Sequence, residues 1–201
     1  MYWDDIAALY DLFEDTYNHK VYRETGMAVS EEIENTDNVL ECACGTGAIS
    51  VYIAPKCRKL IATDMSGKML KQTRKKTAKF SNVKVRRADM THLKCKDEMF
   101  DKVIAGNVIH LLDDPVSAVN ELVRVCKTGG KVIIPTYMNM GTGSTANKLL
   151  IKIISRMGAD FKRQFDLESY KEFFRKAGYE NVRFRVVEGK MPCALAVITK
   201  Q

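Results

Sequence analysis

The chain has 201 residues, 46% of them hydrophobic and 28% charged, enough for one domain with a sizeable core and at most a small appendage. No run is long and apolar enough to span a bilayer, and Met1-Tyr2-Trp3-Asp4-Asp5 has neither the basic nor the apolar region of a secretion signal, so a cytoplasmic protein is expected. The net charge of +7 permits anionic partners without requiring them, and six scattered cysteines (Cys42, Cys44, Cys57, Cys95, Cys126, Cys193) read as free thiols, with no metal set among them.

Residues 3–35 have helical character. Ile6, Leu9, Tyr10 and Phe13 recur at helical spacing, and Gly26 predicts a break before a second piece, Met27 to Ile33. Aromatic residues are dense here (Tyr2, Trp3, Tyr10, Phe13, Tyr17, Tyr22). They suit either plain helix packing or a lid over a cleft.

Val39-Leu40 then leads into an acid, Glu41, and a loop of small residues, Cys42-Ala43-Cys44-Gly45-Thr46-Gly47, before a helix expected over Ala48 to Ala54. A strand that ends in such a loop gives a ligand close access to backbone, the arrangement of a cofactor crevice in a doubly wound α/β sheet. A dinucleotide pyrophosphate would call for G-x-G-x-x-G, but the third position of Gly45-Thr46-Gly47-Ala48-Ile49-Ser50 is Ser. A cationic ligand favours an acid at the strand tip, where Glu41 stands. Glu41-x-Ala43-x-Gly45-x-Gly47 resembles the glycine-rich first motif of class I S-adenosylmethionine-dependent methyltransferases, with Ala43 in place of the family's first glycine.

Lys59 to Thr63 reads as a second strand ending at Asp64, about twenty residues beyond the loop, where this fold places the acid for the ribose hydroxyls. Met65 would lie against the adenine, and Ser66 reads as the N-cap of a basic helix (Lys68 to Lys79) with Met69 and Leu70 facing inward. Asn82 to Arg87 alternates apolar and charged residues, a half-exposed third strand near the sheet edge. It runs into Ala88-Asp89-Met90. The resemblance implies that Asp89 accepts from the adenine amino group and that the Met90 backbone meets a ring nitrogen.

Phe100-Asp101-Lys102-Val103-Ile104-Ala105-Gly106-Asn107-Val108-Ile109-His110 resembles the family's fourth-strand motif. It implies Asn107 as a partner of the methionine ammonium and His110 as a candidate general base facing the substrate, or else a packed histidine. Asp114-Pro115 opens a helix with a buried stripe of Val116, Val119, Leu122 and Val123, ended by Lys127-Thr128-Gly129-Gly130 before a strand over Lys131 to Thr136. Tyr137 is a substrate-side candidate, as is Tyr17. The Gly/Ser/Thr stretch within Met138 to Asn147 follows as a substrate loop and Leu149 to Ile154 as a short helix. Asp166 caps a helix that stops at Gly178. Val182 to Val187 and Ala194 to Thr199 are joined too closely for a parallel crossover and must pair as a hairpin.

The expected architecture is a doubly wound, mostly parallel seven-stranded sheet with an antiparallel C-terminal hairpin strand: residues 1–35 as a helical lid segment, 36–201 as the cofactor-binding domain. Tyr10-Asp11 resembles a pair in the N-terminal extension of ubiquinone-biosynthesis-type methyltransferases, the methyltransferase type 11 group, and adds Tyr10 to the cofactor contacts. The implied cofactor set is Glu41, Cys42, Ala43, Gly45, Thr46, Gly47, Asp64, Met65, Asp89, Met90, Asn107 and Tyr10, with S-adenosylmethionine as donor and S-adenosylhomocysteine as product. The implied partner is a small-molecule methyl acceptor. The fourth-strand exit departs from the [DN]-P-P-[YFW] motif of amino-methyltransferases, and the chain's Pro-Cys (Pro192-Cys193) lies outside the crevice, which argues against a nucleobase acceptor. Two readings stand beside it: methyl transfer to RNA or protein, and a dinucleotide-binding or non-catalytic protein. No motif speaks to oligomeric state.

Overall fold

A computed structural model describes residues 18–138 and 162–201, organised by one seven-stranded sheet. In chain order the elements are α1 (His19–Ser30), β1 (Asn38–Cys42), α2 (Ser50–Ile53), β2 (Lys59–Asp64), α3 (Gly67–Thr77), β3 (Val83–Arg87), β4 (Phe100–Ala105), a 3-10 turn (Ile109–Leu111), α4 (Pro115–Val125), β5 (Cys126–Tyr137), α5 (Leu167–Lys176), β6 (Val182–Val187) and β7 (Cys193–Thr199). Tyr10, Tyr17, the 139–147 stretch and the Leu149 to Ile154 helix lie outside the described residues.

The strand order is β3-β2-β1-β4-β5-β7-β6. The first five strands are parallel, and β7 runs antiparallel between β5 and β6. The order reverses at β1 and β4, which pair directly, and that is where an α/β sheet opens a crevice at its carboxyl ends. Alternation along the strands sorts the core into two layers. Leu40, Cys42, Val103, Val132 and Ala196 pack under α4 and α5. Val39, Leu60, Ala62, Ile104 and Val197 pack under α1, α2 and α3. Cys42 and Cys44 fall in opposite layers because β1 ends at Cys42 and the chain turns at Ala43, whose φ is positive; within a regular strand, residues two apart would share a face.

Helix starts follow the capping residues. Ser66 accepts from Met69 N–H at 3.1 Å, Asp114 from Ser117 N–H at 3.0 Å with Pro115 in the first turn, and Asp166 forms a reciprocal box with Ser169. Each such cap stabilises its helix by about 0.5–2 kcal/mol.

Four expectations change. Gly26 does not break the first helix: α1 runs through it, and the Tyr52 ring lies so close that a Cβ at Gly26 would sit 2.3 Å from Cδ2. The helix expected over Ala48 to Ala54 contracts to the single turn Ser50–Ile53, because the loop is still turning at Ala48 and Ile49. The buried stripe of α4 is Ala118, Val119, Leu122 and Val125, while Val116 is 37% exposed and Val123 half-buried. Finally β5 begins at Cys126, which pairs with Phe100 before the register shifts at Lys102, so Lys127 to Gly130 is an irregular strand entry closed by Gly129 N–H to Lys200 C=O at 2.9 Å.

Candidate active site

The loop after β1 holds its shape through backbone that most side chains resist. Ala43, Gly45 and Gly47 all have positive φ (51°, 54° and 86°), a conformation that costs a residue with a Cβ about 1–2 kcal/mol. A Cβ built on Gly45 meets nothing within 4 Å, so this residue leaves open space at the loop surface. One built on Gly47 would lie 3.0 Å from the Thr73 Cα, so this second glycine serves close packing against α3. Thr73 Oγ1 in turn donates to Gly45 C=O at 2.7 Å, and Cys44 N–H donates to Thr63 C=O at 2.9 Å, tying the loop to α3 and to the end of β2.

Two adjoining hollows open at the carboxyl ends of β1, β2, β3 and β4. The larger, about 220 Å³, is walled on one side by Asp64, Met65, Ala88, Asp89 and Met90 and on the other by Gly106, Asn107, Val108, Leu111 and Leu112. The smaller, about 40 Å³, is lined by Glu41, Thr46, Ile49 and Tyr22 among others. Both share Ala43, Gly45, Gly106 and Asn107, so together they form one continuous cleft bent over the loop.

Three carboxylates face this cleft. Asp64 is fixed from two sides, by Gly45 N–H on Oδ2 at 2.9 Å and by Ser66 N–H on Oδ1 at 2.8 Å. A carboxylate accepts at both oxygens, the chemistry that vicinal hydroxyls call for. Asp89 accepts from both the backbone and the hydroxyl of Thr91, at 2.9 and 2.7 Å, and these bonds hold its carboxyl below the usual range. Glu41 is 2% exposed and takes the Ser50 hydroxyl at 2.5 Å. Burial pushes its pKa up to about 8, a shift that the Ser50 bond opposes and the nearby Asp64 charge reinforces. A carboxyl in that state is suited to meet a cation that enters the small hollow.

Asn107 also has positive φ (52°) and is pinned from both ends: its N–H donates to Pro135 C=O at 2.8 Å and its Oδ1 accepts from Tyr137 N–H at 3.1 Å. It lines both hollows. Thr46 lines the smaller one, with Lys76 Nζ donating to its hydroxyl at 3.2 Å.

Four residues expected at the site sit elsewhere. Cys42 is fully buried in the layer under α4, since it follows Glu41 in the strand and must point the other way. Gly47 lines neither hollow and packs on Thr73. The Tyr137 ring packs against the layer under α1, and its backbone is what touches the site. His110 is 5% exposed and lines neither hollow, and burial lowers its pKa to about 4. A group held neutral behind the cleft wall is poorly placed to take a proton from a substrate.

Sequence reasoning missed Gly106, Val108, Leu111 and Leu112, whereas Tyr22, one of the aromatics expected as lid or packing, lines the smaller hollow. Gly106 is needed because a Cβ there would strike Ile49 Cδ1 at 2.6 Å, a contact across the fold that no local pattern shows. Val108, Leu111 and Leu112 look like any core apolar residues, and only the tight turn after β4 brings them to the cleft.

A family profile described as "Methyltransferase domain" matches residues 40–134, which spans β1 through most of β5. The demethylmenaquinone methyltransferase of Staphylococcus aureus (strain JH9) is 27% identical over 213 residues, covering 93% of this chain and 87% of that protein. Among solved structures, a methyltransferase from Thermotoga maritima superposes with a TM-score of 0.74 at 21% identity, over 100% of this chain and 99% of the other. Phosphoethanolamine N-methyltransferase 2 of Haemonchus contortus, solved in complex with S-adenosylmethionine, has a TM-score of 0.69 at 16% identity, over 88% of this chain and 52% of that one. The sheet order, the loop-and-carboxylate cleft and the domain match together support a class I S-adenosylmethionine-dependent methyltransferase.

Proposed function

We propose that the chain methylates a small, largely apolar acceptor that enters over Val108, Leu111 and Leu112. The observation that carries this reading is the composition of the cleft wall. Opposite Asp64 and Asp89 stand Val108, Leu111 and Leu112, with Met65 and Met69 nearby, a lining that rewards apolar surface and offers few partners to a polar base or peptide. Similarity to proteins named for demethylmenaquinone supports the same class of acceptor.

On the donor side the residues present fit the cofactor. Gly45 leaves room where a Cβ would intrude, and the cleft is polar where the donor is polar. In this reading Asp64 takes the ribose hydroxyls, Met65 covers the adenine, Asp89 accepts from its amino group and Met90 N–H meets a ring nitrogen. Glu41 and Asn107 hold the ammonium, with Thr46 beside them. When bound, S-adenosylmethionine supplies a methyl carbon activated by positive sulfur; an acceptor lone pair forms the new bond in line, and the broken C–S bond leaves its electron pair on sulfur to give S-adenosylhomocysteine.

The protein's own contribution is alignment. Holding donor and acceptor in register removes about 7–11 kcal/mol of barrier. The rigid loop, pinned Asn107 and doubly anchored Asp64 serve that end. His110 is assigned no proton in this scheme.

A screen for S-adenosylhomocysteine release over quinols, phenols, thiols and small amines tests the reading, with an RNA and a protein mixture as further arms. Turnover of an apolar ring acceptor is expected. Turnover confined to the RNA or protein arm would overturn it.

A further inference from the structure

The most uneven feature of the chain outside the cleft is its charge. Residues 65–88 hold nine of the 32 lysines and arginines and none of the 25 acids, so the rest of the chain is slightly acidic and this segment carries the positive field. All nine cations are exposed. Lys71, Lys75 and Lys79 follow one another at four-residue spacing along and just past α3, where like charges repel and weaken the helix unless an anion offsets them.

The sheet extends this line. β3 is the edge strand, packed against α3, with its outer edge unpaired by any described strand. Val83 and Val85 turn toward the layer under α3, so Lys84 and Arg86 point the other way and Arg87 closes the strand. Long cationic side chains from both faces can therefore reach one plane drawn against the free edge. Arg87 directly precedes the Ala88-Asp89-Met90 wall, and Met65, 45% exposed, lies at the cleft between the two elements.

We infer that this α3–β3 edge docks the enzyme on an anionic lipid surface, with the cleft mouth close to the bilayer. A band of exposed cations along a free sheet edge beside the cleft mouth is what an anionic lipid surface attracts. A single-stranded RNA track would interleave exposed aromatic rings for stacking, and Phe80, the one aromatic in 65–88, is half-buried with Lys79 Nζ 5.1 Å from its ring centre. The inference goes beyond the acceptor reading and holds whatever molecule is methylated.

The test is co-sedimentation of the full chain with phosphatidylcholine vesicles containing about 30% phosphatidylglycerol, compared with phosphatidylcholine alone. Binding should be confined to the charged vesicles and fall at least about tenfold between roughly 50 and 300 mM salt. The triple variant Lys71→Glu, Lys75→Glu, Lys84→Glu should lose at least about tenfold in vesicle affinity. The control triple Lys96→Glu, Lys171→Glu, Lys190→Glu carries the same charge change elsewhere and should keep its affinity. Both variants should bind S-adenosylmethionine as the parent does, which shows that they are folded. No binding to charged vesicles, equal losses in the two triples, or tighter binding of a single-stranded RNA at the same salt would each overturn the proposal.

Discussion

The backbone N–H of Gly45 donates to Asp64 Oδ2 at 2.9 Å, so the glycine loop and the tip of β2 are one unit. A carboxylate that anchors the loop and faces the cleft should be felt twice when it is lost. Asp64→Ala is expected to weaken S-adenosylmethionine binding by at least about tenfold, both through the ribose hydroxyls and through a freed loop. Asp64→Asn keeps an oxygen for Gly45 N–H and should retain more affinity than Ala. Titration calorimetry on both variants checks the order, and equal affinities of parent and Ala variant would remove Asp64 from the site.

Glu41 gives the empty enzyme a pH dependence of known sign. Its pKa in the folded protein is raised to about 8 from 4.5. The folded state therefore holds a proton that the unfolded chain releases above about pH 4.5, and stability drawn from this group declines as pH rises from about 4.5 to about 8. The full difference is on the order of 4–5 kcal/mol. Glu41→Gln should flatten that decline. Urea unfolding at pH 5.5 and pH 8 without cofactor measures it, and identical slopes for parent and variant would contradict the buried-acid description.

What the sequence disclosed at the site was strand-end chemistry. Glu41 and Asp64 each follow an apolar run and Asp89 follows an alternating edge strand, and residue type plus that strand-end position was enough to bring them to one cleft. The antiparallel place of β7 was likewise legible, since the link from β6 is too short for a crossover. Hidden from it were contacts made across the fold. That Gly47 meets Thr73, that Gly26 meets Tyr52 and that Leu111 and Leu112 turn into the cleft depend on which elements pack together, and no local pattern encodes that. Cys42 was misplaced for a simpler reason: side chains adjacent in a strand cannot share a face, so with Glu41 toward the small hollow Cys42 belongs to the core.

His110 should behave as a packed residue. Burial lowers its pKa to about 4 from 6.5, so it is neutral in the folded protein at neutral pH while the unfolded chain takes up a proton below about 6.5. Its contribution to stability is present above that pH and is lost as pH falls toward about 4, by up to about 3 kcal/mol. His110→Leu should flatten that acid limb in unfolding experiments and leave the pH profile of methyl transfer unchanged above pH 6.5. A basic or acidic limb of turnover that vanished in the variant would restore a catalytic role.

Gly26 provides a test of packing against propensity. It lies inside α1, where replacing Gly by Ala ordinarily stabilises a helix by about 1 kcal/mol. Here the new Cβ would fall 2.3 Å from Tyr52 Cδ2 and 2.9 Å from Cγ, so ring or helix must move, and overpacking of this kind costs about 1–3 kcal/mol. Gly26→Ala is therefore expected to destabilise the protein despite its better helix propensity. α1 also brings Tyr22 to the smaller hollow, so a displaced helix should weaken S-adenosylmethionine binding as well. Tyr52→Leu removes the obstructing ring. If the ring is the cause, the double variant should be more stable than the sum of the single changes, by about 1–2 kcal/mol of coupling in urea unfolding. Additive effects would place the cost of the glycine substitution somewhere other than the α1–Tyr52 contact.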